Sequence, residues 1–150
     1  MKFKVPNLKN LLKYTPALCN KNDSCEEAKD FGNIIYVFNP QKEVFKNEKY
    51  LRSIWTGSNL QFSVQSLKGG KETPESFASD SDIFIKILFG SALILTGAKK
   101  ENMKENSLNT NEAIIIPSGM FYNIKNSASS PLKFYILSAK PINKHSTVID

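Results

Sequence analysis

A chain of 150 residues is long enough to bury a sizeable core and short for two domains. Hydrophobic residues at 41% and charged residues at 23% are those of an ordinary globular protein, with no low-complexity tract or fixed-period repeat. The net charge of +6 raises nucleic-acid binding, but only Arg52 among the 20 basic residues is an arginine. The lysines are dispersed, so a solubilising surface is expected and a nucleic-acid partner is not.

Residues 1–31 read as a polar leader of short helices, or as an arm that reaches a second subunit. NLKNLLK (7–13) has the apolar spacing for a turn or two of helix, and Asp23 or Ser24 is placed to cap another through Glu26, Glu27 and Ala28. Lys2, Lys4, Lys9, Lys13 and Pro6 keep the start of the chain from forming an apolar signal segment. No stretch approaches the roughly 20 apolar residues of a membrane span. A cytoplasmic location without membrane association is therefore expected. Cys19 and Cys25 are then free thiols, because a small cytosolic protein rarely keeps a disulfide.

Residues 32–150 read as one β domain. IIYVF (34–38) is a predicted strand that stops at Asn39-Pro40, and YLRSIW (50–55) is another. NLQFSVQS (59–66) alternates Leu60, Phe62 and Val64 with Gln61, Ser63 and Gln65, the period of a half-buried strand. DIFIKILFG (82–90), SALILTG (91–97), AIIIP (113–117), FYNIKN (121–126) and PLKFYILSA (131–139) follow, while the polar segment 98–111 reads as a hairpin tip. Short strands without long amphipathic helices between them predict a sandwich or closed barrel.

The spacing of glycines and prolines then carries a resemblance. Gly70 and Gly90 bracket residues 71–89, and Pro117, Gly119 and Asn126 punctuate the later strands, with Asn111 six residues before Pro117. This frame resembles the two motifs of the cupin superfamily, and YLRSIWTGSNLQ and PLKFYILSAKP resemble the flanks of its small single-domain bacterial members. The resemblance covers roughly residues 32–148 and implies an all-β, cupin-type jelly-roll barrel. It also implies that strands between Gly70 and Gly90 form a connected antiparallel pair.

In that family, four side chains point into the barrel and hold a divalent metal, two His and a Glu from the first motif and one His from the second. Here those positions fall on Ser76, Ala78, Ile83 and Tyr122. Three imidazoles and a carboxylate would suit a transition metal, and none is present, so no metal and no cofactor is expected. The single histidine, His145, follows the last strand and reads as a tail residue. Asp80 and Asp82 lie near the site, but if Ile83 faces the interior then Asp82 faces away.

The resemblance implies that Ser76, Ala78, Ile83 and Tyr122 face the lumen, and parity from Ile83 and Tyr122 adds Ile85, Met120 and Ile124 to that candidate lining. Two readings of that lumen stand. It is a filled core, giving a metal-free, non-catalytic structural or regulatory protein. Alternatively it is a module that binds a small apolar ligand, with Tyr122 and Ser76 offering hydrogen bonds. A third reading is a metal-independent isomerase or epimerase, for which no histidine base is at hand, so no catalytic residue is assigned. Trp55 reads as packing. Phe84, Leu88 and Tyr135 on the opposite face are too apolar for a solvated surface, which predicts a homodimer.

Overall fold

The computed structural model describes residues 30–32 and 34–140. The expected leader helices or dimer arm, Cys19, Cys25 and His145 lie outside the described residues. One short helix, α1 (Pro40–Lys46), precedes nine strands: β1 (Leu51–Thr56), β2 (Leu60–Leu67), β3 (Ser76–Phe77), β4 (Asp82–Phe89), β5 (Ala92–Gly97), β6 (Lys104–Leu108), β7 (Ala113–Ile116), β8 (Phe121–Lys125) and β9 (Leu132–Ala139).

They form two antiparallel sheets packed as a jelly-roll barrel. One sheet runs β1-β2-β9-β4-β7 and the other β3-β8-β5-β6. The strand latest in sequence thus sits at the centre of the larger sheet, with Gln65 opposite Phe134 on one side and Ile85 opposite Ile136 on the other.

Strand parity decides what faces inward. Ile83, Ile85 and Ile87 of β4, Ile94 of β5, Ile116 of β7, Ile124 of β8 and Leu132 and Phe134 of β9 fill the barrel interior. Phe62 and Val64 of β2 point the other way, into a second cluster with Val44, Ile54 and Leu88 outside the larger sheet. Consequently β2 is buried on both faces, and Ser63 and Gln65, expected on a solvated face, are covered on the barrel side.

The predicted strand at residues 34–38 does not form. The segment has no regular secondary structure and joins neither sheet. Tyr36 stacks on Phe31 at 4.3 Å and on Phe38 at 5.2 Å, and Phe38 meets Phe62 edge-on at 4.9 Å. The alternation of IIYVF therefore packs Tyr36 and Phe38 against the larger sheet, while Ile35 and Val37 stand exposed. Asn39-Pro40 starts α1 rather than a turn: the Asn39 side chain accepts from Lys42 N at 3.0 Å, and Pro40 occupies the first turn.

Two further differences concern the other sheet. The polar segment 98–111 contains β6, whose KENSL sequence hides a strand because its residues are mostly exposed. The two strands between Gly70 and Gly90 do not pair with each other: β3 lies beside β8, and β4 lies between β9 and β7. At position 111 the backbone is left-handed (φ 71°), a conformation Asn tolerates better than most residues.

The outer face carrying Phe84, Leu88 and Tyr135, which suggested a partner subunit, is covered in part by the chain itself. Val44 of α1 packs in the same cluster as Leu88, with Tyr36, Phe38 and Tyr135 against it.

Candidate functional site

Short strand β3 brings the first-motif positions against β8. Ser76 pairs with Tyr122, and beyond the strand Ala78 N donates to Met120 O at 2.9 Å. On the other wall Ile83 pairs with Ile116. Ala78, Ile83, Ile85 and Ile124 are buried members of the barrel core, and Met120 and Tyr122 pack against it half-buried. Ser76 is half-buried at the rim, with its hydroxyl donating to Pro74 O at 3.3 Å.

This donor set does not fit a divalent metal. An alanine methyl and an isoleucine offer no lone pair, and neutral Ser76 and Tyr122 hydroxyls are poor ligands. Among the described residues no group of three His, Cys, Asp or Glu side chains comes together. Asp82, next to Ile83, is engaged elsewhere: its carboxylate accepts from Ser118 N at 2.9 Å and ties down the turn before β8.

The phenols of Tyr122 and Tyr50 are neutral. Burial pushes the Tyr122 phenol above its ordinary value, and the Ser76 hydroxyl offsets part of that rise. Burial also raises Tyr50, and the nearby Tyr122 adds to it. Both phenols stay protonated at neutral pH and act as hydrogen-bond donors or acceptors.

Gln65 is the residue that sequence reasoning missed. It is 8% exposed, lies on the barrel face of β2 opposite Phe134, and its Oε1 has no hydrogen-bond partner among the described residues. Alternation alone cannot say which side of a strand is covered, and the polar Gln61-Ser63-Gln65 face carries no sign of burial in the sequence.

Two concave regions lie on the outside of the larger sheet. The apolar lobe, about 480 Å³, is lined by Trp55, Leu60, Phe62 and Leu137 with the 34–38 segment as one wall. A polar lobe of about 440 Å³ is bounded by Gln41, Lys86, Asn111 and Tyr135, and Phe38 belongs to both. The Trp55 indole donates to Ile34 O at 2.8 Å and so fixes that wall.

No protein-family model matches the chain. It is 27% identical to the uncharacterized protein YrkC of Bacillus subtilis over 80% of its own length, and spans 65% of that relative. The crystal structure of BH2720 from Bacillus halodurans superposes with a TM-score of 0.71 at 29% identity, covering 79% of this chain and 90% of that one. The Cnp3 cupin domain of Schizosaccharomyces pombe superposes with a TM-score of 0.55 at 20% identity, over 63% of this chain and 67% of that one.

Proposed function

The chain has the cupin fold, and we propose that it is a metal-free, non-catalytic form of it. It acts as a structural or regulatory module, assembled as a homodimer in the cytoplasm. One observation carries this reading. The four positions that hold metal in the family pattern are Ser76, Ala78, Ile83 and Tyr122, and the interior they border is packed with isoleucine, leucine and phenylalanine. Filling the lumen with apolar side chains supplies folding energy where an active site would need space, water and charge. No helix among the described residues is long and apolar enough to cross a membrane.

Elemental analysis tests the proposal. Untagged protein dialysed against chelator should carry far less than one transition metal per chain. About one tightly held iron, manganese, nickel or zinc per chain would overturn it.

A second reading, a small molecule bound in the lumen, is favoured by Gln65, whose amide oxygen is buried on the barrel side of β2 with no hydrogen-bond partner among the described residues. Such a ligand would be uncharged and would donate a hydrogen bond to Oε1. Gln65→Leu separates the two readings. If the lumen is structural, removing an unsatisfied amide should leave stability unchanged or raise it by about 1 kcal/mol in urea denaturation. If a ligand is held there, the variant should lose a thermal shift that the wild type shows with that ligand.

A further inference from the structure

The outer groove of the larger sheet has two chemically distinct ends that meet at Phe38. Trp55, Leu60, Phe62 and Leu137 make one end apolar. At the other end Lys86 stands among Phe84, Leu88 and Tyr135, half-buried, and it pairs with no carboxylate among the described residues. Its neighbours in that lobe, Gln41, Asn111 and Tyr135, are neutral hydrogen-bonding groups, and no Asp or Glu lines either lobe. An unpaired ammonium on an apolar sheet face favours an anion, and neutral donors beside it can complete the anion's hydrogen bonds. Each lobe falls in the size range of small-molecule sites, roughly 300–1,000 Å³.

We propose that this groove binds a small monocarboxylate amphiphile of the fatty-acid class, its carboxylate on Lys86 and its apolar chain running past Phe38 onto Trp55. The site lies on the opposite face of the sheet from the barrel interior, so it neither needs nor disturbs the filled lumen. The metal-free reading stands or falls separately, by elemental analysis.

Trp55 is the only tryptophan and lines the groove, so intrinsic fluorescence reads the site directly. The full chain is titrated with sodium decanoate below its micellar concentration, and with decanol, which has the same chain without the charge. Decanoate should produce a saturable Trp55 response. Lys86→Gln should weaken decanoate by about tenfold or more while leaving decanol unchanged. Lys125→Gln removes a lysine that pairs with Glu72 at 3.2 Å on the other sheet, and should leave decanoate binding as it was. A urea midpoint for each variant shows that it is folded. Three results would each overturn the proposal. Decanoate gives no saturable response, as when a second copy or another part of the chain covers the groove. Both lysine variants weaken binding equally, which marks unspecific charge attraction. Or Lys86→Gln binds decanoate as the wild type does.

Discussion

Tyr122 shows how one side chain can take over a position without taking over its chemistry. A phenol there fills volume beside the barrel core, and burial makes its ionised form unfavourable. The sign of the consequence follows. A phenol raised above its unfolded value of 10.0 adds stability that is fully present below pH 10, and that stability is lost as pH climbs through the folded value. Tyr50 and Tyr135 are raised as well, both by burial, so the effect adds up. Urea denaturation should therefore show a steep loss of stability from about pH 10 upward, and Tyr122→Phe should make that loss shallower. A Tyr122→Phe curve parallel to the wild type would mean that the phenol is solvated.

At the scale of elements, α1 is held by ions rather than by its own length. A seven-residue helix is too short to be stable alone. Its Glu43 is paired to Arg52 of β1, and also to Lys46 one turn on at 2.9 Å. Burial by itself would raise the Glu43 carboxyl, but hydrogen bonds and charge from Lys46 and Arg52 outweigh it and hold the group below the usual carboxylate range. At the other end Lys133 of β9 donates to the carbonyls of Phe45 and Asn47 at 2.9 and 3.1 Å, closing the helix C-terminus. Arg52→Ala should cost about 2–4 kcal/mol, because it leaves Glu43 buried and half-paired, and Glu43→Ala added to it should restore part of that loss. A double-mutant cycle showing no coupling would refute the pairing. The same logic predicts that the Glu43 contribution is present above about pH 4.5 and disappears as acid protonates the folded carboxylate.

These elements also show what a sequence can and cannot announce. Strands β1, β2, β4, β5, β7, β8 and β9 were legible, because β-branched residues alternate or run together between turn residues. The apolar wall of the barrel was legible by parity from Ile83. Helix α1 was not, since PQKEVFK is too short to show a period. The 34–38 segment misled because the same alternation serves a strand and an aromatic ladder lying on a sheet. Gln65 and the outer groove were invisible, as they depend on which face distant segments happen to cover.

At the scale of the whole molecule, the four edge strands of the two described sheets, β1, β7, β3 and β6, are protected unequally, β3 by being only two residues long. Strand β1 carries Arg52 and β6 carries Lys104 and Glu105, but β7 is Ala-Ile-Ile-Ile, with Ile115 70% exposed. An uncharged edge strand is a template for another chain. The proposed homodimer would form by pairing β7 with its copy. Light scattering at micromolar concentration should give twice the chain mass, and Ile115→Lys should give a monomer. A monomeric wild type would end the dimer proposal.

The position of β9 has a consequence in time. Synthesis delivers the β1-β2 hairpin and then the β4-β7 pair, whose strands are separated by β5 and β6 of the other sheet. The strand that must lie between β2 and β4 emerges after both. Until it arrives, β2 and β4 each present an open row of backbone donors and acceptors, on strands rich in valine, isoleucine and phenylalanine. The newborn chain therefore passes through a window in which its best partner is another copy still being made. The larger sheet can close only once β9 is available, so the speed with which residues 132–139 dock weighs on the competition between folding and aggregation.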